Sequence, residues 1–238
     1  MWTGLPVIFD EVFTGLYRLG RFSAASFLGV HPDISVHAKL LAGGLVPLAV
    51  TLASEDIYHT FKGDEKADTL LQGSSYTAHP VGCHVATVNV REMGKIESRG
   101  EWEWAKRGNG WNSVIHEGVN VDYMEPIVWS VWHAGFVVWL SMQSSKPCMQ
   151  VYSAWALGSV LVIHLKLDPV NTRPGHDYGA AAKLEAALLD TVVGADGGTR
   201  WNVHTRAIGD TLYLLASQKT CMEDIKQMEQ RLREVLAE

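Results

Sequence analysis

Apolar and polar positions follow two rhythms along the first ninety residues: short unbroken apolar runs alternate with stretches of helical spacing, which predicts strands and helices in turn. Val7-Ile8-Phe9 is a continuous apolar run of the kind buried on both faces of a parallel sheet, and it closes on the acidic pair Asp10-Glu11. Charged residues at a strand's end mark its carboxyl edge, where open α/β sheets place their ligands. The turn Gly43-Gly44 leads to a second run, Pro47 to Ala53, predicted as a second buried strand. Ser54 then reads as a helix cap with Glu55 and Asp56 in the first turn, and a helix is predicted from Pro80 through Ala86 and Val90.

From Arg91 to Gly118 charges, glycines and Trp102, Trp104 and Trp111 crowd together without periodicity, which predicts an irregular linker. Beyond it, Ile127 to Met142 has helical spacing, Gly158 to Leu167 reads as a strand and Asp168 to Asp177 as turns. Gly179 to Leu189 is an Ala/Leu-rich helix and Thr211 to Leu215 a strand. Thr220 and Glu223 have the spacing of a capping box, Ile225, Met228, Leu232 and Val235 form a helical stripe, and Glu229 and Arg233 stand as an i,i+4 pair. The predicted organisation is an α/β part over residues 1–90, a linker over 91–125 and a small α+β domain over 126–238, whose strands need not be parallel.

The 238 residues are 47% hydrophobic and 19% charged, the balance of a globular chain and not of a disordered tail or fibre. A net charge of −6 with no basic stripe argues against nucleic acid or an anionic membrane surface as partner. No apolar run reaches the roughly 18 to 20 residues of a membrane span. Cys83, Cys148 and Cys221 are too few and too far apart for a disulfide framework or a CxxC knuckle, and they fit a reducing compartment. His31, His37, His79 and His84 have no carboxylate or thiolate at zinc-site spacing, so no metal site is predicted. They read as turn and core histidines, and Cys83 as a small packed hydrophobe.

Three features carry candidate chemistry: Asp10 at a strand end, Lys39 in a segment bounded by glycines, and the hydroxyl cluster Gly73-Ser74-Ser75-Tyr76-Thr77. Singly, each has a plainer reading. An acid after a strand is more often a helix cap, a lone lysine a solvated charge, and a serine-rich turn a partner for its own backbone. Their order along the chain says more. Val7-Ile8-Phe9-Asp10-Glu11-Val12-Phe13-Thr14-Gly15, then Arg18-Leu19-Gly20-Arg21, Pro32-Asp33-Ile34, Lys39-Leu40-Leu41-Ala42-Gly43-Gly44 and Gly73 through Cys83 resemble, in sequence and spacing, the signature of the class III aminotransferases, which depend on pyridoxal 5'-phosphate.

The resemblance covers about residues 5 to 90 closely. Within the family the wording is most similar to the branch that makes 7,8-diaminononanoate for biotin, and above all to the fused fungal and plant form that also carries dethiobiotin synthetase. Trp155 to Leu161 and Asn202 to Arg206 fit the same branch more loosely. The resemblance implies a fold type I transferase: part of the large cofactor domain, mostly parallel sheet with helices, followed by the carboxyl-terminal α+β domain. It implies transfer of an amino group from S-adenosylmethionine to 8-amino-7-oxononanoate in a homodimer with a shared active site. It also implies a mitochondrial location for the complete protein, although the amino terminus shows no transit signal and a cytoplasmic location is the default reading.

Residue by residue, the resemblance assigns Asp10 to the pyridine nitrogen of the cofactor and Lys39 to the Schiff base and the proton shuttle. Gly73 falls at a substrate-lining position, Ser74 and Ser75 at positions that meet the cofactor phosphate from a neighbouring subunit, and Arg206 at the arginine that takes a substrate carboxylate. The family's phosphate-cradling turn and ring-stacking aromatic lie upstream of a residue like Asp10. A shortened chain is therefore expected, with Val7-Phe9 as an exposed apolar edge that favours dimerisation. Two alternatives follow: a catalytically silent remnant, or another class III ω-aminotransferase.

Overall fold

The computed structural model describes residues 4–70, 74–110, 128–143, 151–166, 179–189, 192–193 and 200–237. Trp111, Cys148, Gly73 and the turn region 168–177 lie outside the described residues. The chain divides into two compact units, Met1–Glu101 and Trp102–Glu238.

The first unit is built on a three-stranded sheet in the order β1-β2-β3, with β1 Ile8–Asp10, β2 Ile34–His37 and β3 Val50–Ala53. β1 and β2 run parallel in the register Ile8↔Ile34, Phe9↔Ser35 and Asp10↔Val36, and β3 is antiparallel to β2. The strand at Ile34–His37 was not expected: Ser35 and His37 break its apolar run, so it lacks the signature of a buried parallel strand. The expected double burial of the other two is also corrected. Ile8 is 61% exposed and Leu52 54% exposed, so the apolar residues of β1 and β3 meet solvent, β1 as an edge strand of the sheet.

Helix α1 (Ala25–Leu28) follows the first loop, and α2 (Glu55–Thr60) starts at the expected cap, Ser54 Oγ accepting from the Ile57 N–H. The helix expected from Pro80 is α3, Pro80–Ser98, with proline in its first turn and the His79 ring capping it through Nδ1 and the Gly82 N–H at 3.0 Å. It runs on into the first part of the segment expected to be irregular, because Val90, Met93 and Ile96 keep a helical spacing that the surrounding charges mask. Its Ala86 and Met93 pack with Leu16 and Leu41 in a small core joined by Tyr17, Leu40, Leu48, Val50 and Val90. Cys83 on this helix is exposed, not packed.

The second unit opens with α4, Glu103–Gly108, again inside the expected linker. Trp102 is buried, lies 6.1 Å from Trp129 between ring centroids, and donates from Nε1 to the Gln218 carbonyl. Helix α5 spans Ala134–Met142, shorter at its start than expected. An antiparallel sheet follows in the order β4-β5-β9-β8, with β4 Val151–Leu157, β5 Val160–Leu165, β8 Thr205–Ile208 and β9 Thr211–Leu215. Between them come α6, Gly179–Leu189, and the two-residue strands β6 Val192–Val193 and β7 Arg200–Trp201. Leu161, Ile163, Leu212 and Leu214 of the sheet are fully buried with Leu188 of α6 and Ile225 and Leu232 of α7, Met222–Ala237.

The predicted stripe of α7 is therefore correct, but its cap is displaced by one residue: the Cys221 N–H is received by Asp224, while Thr220 Oγ1 accepts from the Ser217 N–H. The expected Glu229–Arg233 pairing is also redistributed. Glu229 is buried and accepts from the backbone N–H of His133 at 2.7 Å and meets its ring Nδ1 at 3.1 Å, capping α5 from a distant helix. The Arg233 guanidinium lies over Phe136 and Trp139, 4.9 and 4.2 Å from the ring centroids.

Burial holds the Glu229 carboxyl above its ordinary 4.5, against the opposing pull of the His133 N–H and ring and of Arg233. The folded chain thus keeps a proton on Glu229 where the unfolded chain has lost it. This contribution to stability is whole below pH 4.5 and is lost as the pH rises through the raised value. Glu229→Gln keeps an acceptor for His133 and removes the titration. Urea midpoints should show the stability of the wild type relative to Glu229→Gln falling as the pH rises above 4.5; a gap that does not move with pH contradicts this.

Candidate active site

The acidic pair at the end of β1 divides its labour by strand alternation. Glu11 is buried, accepting from Ser23 Oγ at 2.5 Å and from the Ala24 N–H at 2.8 Å, and so ties the following loop to the strand end. Asp10 is exposed, and its Oδ1 accepts the nearby Val12 N–H at 3.0 Å, one bond to a carboxylate with about four lone-pair sites. Parallel pairing with β2 sets Asp10 opposite Val36, and Lys39 follows two residues after β2 ends. The two sequence-predicted residues therefore arrive at the carboxyl ends of adjacent parallel strands, the edge at which open α/β sheets bind.

Lys39 begins a 3-10 turn, Lys39–Leu41, with its own φ at +49°. Left-handed backbone is unfavourable for a side chain with a Cβ and persists where surrounding contacts hold it. Here Leu41 is buried in the small core, and the turn is closed by the Leu41 N–H to the Ala38 carbonyl at 3.0 Å and the Ala42 N–H to the Lys39 carbonyl at 3.2 Å. Lys39 is an exposed residue, and its amine lies 5.8 Å from the centroid of the Phe13 ring, which the Arg18 guanidinium also approaches, at 5.6 Å.

Lys39 opens onto a cavity of about 960 Å³, lined besides by Gly44, Val46, Pro47, Leu48, Ala49, Tyr76 and His79. Its wall is mainly apolar with one primary amine, the character of a small-molecule site. Asp10 is outside this lining. Ser74 and Ser75 are exposed beside Tyr76, and Ser74 Oγ accepts from the Tyr76 N–H at 3.3 Å. Arg206 is an exposed residue of β8 in the second unit, and Gly73 lies outside the described residues. A primary amine at a cavity, an exposed carboxylate at the neighbouring strand end and exposed hydroxyls are a set of groups that fits a phosphorylated pyridine aldehyde.

Residues 3–100 match the aminotransferase class-III family. They belong to it. Over 99% of its length the chain is 48% identical to the bifunctional dethiobiotin synthetase/adenosylmethionine-8-amino-7-oxononanoate aminotransferase of Emericella nidulans, and covers 27% of that protein. It is 34% identical over 97% of its length to the mitochondrial bifunctional dethiobiotin synthetase/7,8-diamino-pelargonic acid aminotransferase of Oryza sativa, covering 24% of it. The chain thus spans about a quarter of the length of these relatives. Among solved structures, a Bacillus anthracis aminotransferase superposes with a TM-score of 0.68 at 19% identity, over 98% of this chain and 44% of its own. An amine transaminase from an uncultivated Pseudomonas species, in its PLP-bound form, gives 0.67 at 22%, over 98% and 45%. The fold is that of the fold type I transaminases.

Sequence reasoning placed Tyr76 in the hydroxyl cluster and read His79 as a turn or core histidine, where both line the cavity; it missed Phe13, Glu11 as a loop tie, and Asn89, a polar residue at a half-buried helix position whose place in α3 was a usable signal. It also passed over Gly15. A Cβ there would stand 2.8 Å from His37 Nδ1 and 3.0 Å from the Glu11 carbonyl oxygen, so the loop after Asp10 approaches β2 as closely as only glycine permits. Gly15→Ala should cost about 1–3 kcal/mol by overpacking. A urea midpoint unchanged from wild type would contradict the placement of His37 against this loop.

Proposed function

We propose that the chain carries the Lys39 and Asp10 half of a pyridoxal-phosphate-dependent aminotransferase of biotin synthesis, moving an amino group from S-adenosylmethionine to 8-amino-7-oxononanoate. The observation that carries the reading is the arrival of Asp10 and Lys39 at one edge of the sheet, Lys39 at the mouth of a largely apolar cavity. The similarity to the Emericella nidulans aminotransferase over 99% of the chain supports the choice of substrates. The names of the plant relatives support a mitochondrial location for the longer protein.

Pyridoxal phosphate, when bound, supplies an electron-withdrawing ring that takes up an amino group and spreads negative charge from the substrate carbon. Asp10 is the residue that would hold a proton on the ring nitrogen, since an ionised carboxylate favours the charged partner. Lys39 Nζ would anchor the cofactor and, as a free amine, move a proton at that atom. Val46, Pro47, Leu48 and Ala49 line the cavity with Lys39 and would offer an apolar surface to an aliphatic chain. Ser74 and Ser75 present hydroxyl donors for a phosphate, and in this reading they serve the site of a second copy, so that the working form is a homodimer. Arg206 would receive a carboxylate of the substrate through its planar fork.

Incubating the chain with pyridoxal phosphate, reducing with borohydride and mapping peptides by mass spectrometry should place the pyridoxyl group on Lys39. Lys39→Ala should remove it, and should lower transamination from S-adenosylmethionine by at least about 10²–10⁴-fold. Labelling scattered over surface lysines contradicts the proposal and favours the silent remnant. Lys39 labelling with turnover from ordinary amino donors alone favours another ω-aminotransferase.

A further inference from the structure

Lys39 stands in a backbone conformation that its own residue type disfavours, and the bonds of its turn are short-range ones that do not tie it to the rest of the unit. The tie comes from α3. Asn89 Nδ2 donates to the Leu40 carbonyl and, at 3.3 Å, to the Leu41 carbonyl, across 49 and 48 residues of sequence. These are the two residues that directly follow Lys39, and Asn89 itself is half-buried against them. One side chain thus fixes the orientation of two consecutive peptide planes, while Leu41, Ala86 and Met93 supply the apolar contact between turn and helix.

We infer that Asn89 is a positioning residue for Lys39, its amide locking the left-handed turn so that the amine projects to the cavity mouth. The inference rests on the proposed function for the role of the amine. Packing alone sets the distance of the turn from α3. The short-range bonds keep the turn's own shape, but neither they nor the packing aim its carbonyls at α3, because an apolar contact is non-directional whereas an N–H bonded to a carbonyl is not. A polar residue inside an otherwise regular nineteen-residue helix, facing two carbonyls instead of solvent, has this directional task.

The test compares Asn89→Leu, which fills the space and removes the donor, with Met93→Ala, which loosens the same core and keeps the donor, and with Asn89→Gln, which restores an amide. Each chain is labelled with pyridoxal phosphate and borohydride, and the share of pyridoxyl groups on Lys39 among all lysines is read by peptide mass spectrometry. Hydrogen exchange at the amides of Leu41, Ala42 and Gly43 is read in parallel, with urea midpoints as the measure of stability. In Asn89→Leu the Lys39 share should fall at least roughly tenfold, as expected when a reacting group is misplaced. The Leu41–Gly43 amides should exchange at least roughly tenfold faster. Met93→Ala, though destabilised, should keep the share and Asn89→Gln should recover part of it. A wild-type share in Asn89→Leu, wild-type exchange at those amides, or an equal loss of share in Met93→Ala at equal stability overturns the inference. If the unaltered chain shows no preference for Lys39, the proposed function fails, and amide exchange alone then decides whether Asn89 holds the turn.

Discussion

Parallel pairing of Ile8–Asp10 with Ile34–His37 is the constraint on which the site depends. Two strands joined in this sense finish at the same edge, so whatever follows each of them is brought together without any long side chain having to reach. Asp10 is the last residue of the first strand, and Lys39 lies just past the end of the second. An antiparallel pairing would put them at opposite ends of the sheet. The Glu11 N–H to Val36 carbonyl bond, at 2.9 Å, extends the ladder one step beyond Asp10 and fixes the carboxylate at that edge.

Around this ladder the chain uses buried polar groups as ties and apolar groups as filler. Glu11 holds the loop at Ser23 and Ala24, glycine at position 15 lets that loop close on His37, and α3 is packed against the lysine turn through Leu41, Ala86 and Met93. The second unit repeats the pattern with different parts. Glu229 is taken from water to cap α5 at His133, and its raised carboxyl records the cost of that burial.

Much of this was legible in the sequence. Asp10 and Lys39 stand in ordered motifs whose spacing survives without any knowledge of the sheet, and α6, β9 and the stripe of α7 carried patterns long enough to read. What failed did so for physical reasons. Ile34–His37 is short and interrupted by Ser35, so a strand defined by its hydrogen bonds left little trace in hydropathy. Burial of Ile8 and Leu52 was inferred from local pattern, but burial is set by neighbours in space, and more than half of each residue stays exposed. Trp102 and Trp104 made residues 91–118 look irregular because bulky aromatics and charges hide the spacing of α3 and α4. The tie from Asn89 could be suspected only as a polar residue in a helix interior, since its partners lie 48 and 49 residues away.

The central claim is that the strand ends place Asp10 and Lys39 on one ligand. The most direct measurement is a crystal structure of the chain grown with pyridoxal phosphate. It should show the Asp10 carboxylate about 2.7–2.9 Å from the ring nitrogen, as a charge-assisted hydrogen bond requires, with density continuous from the cofactor to Lys39 Nζ. A cofactor bound away from Asp10, or a first strand paired in another sense with Asp10 and Lys39 at opposite ends of the sheet, would contradict it.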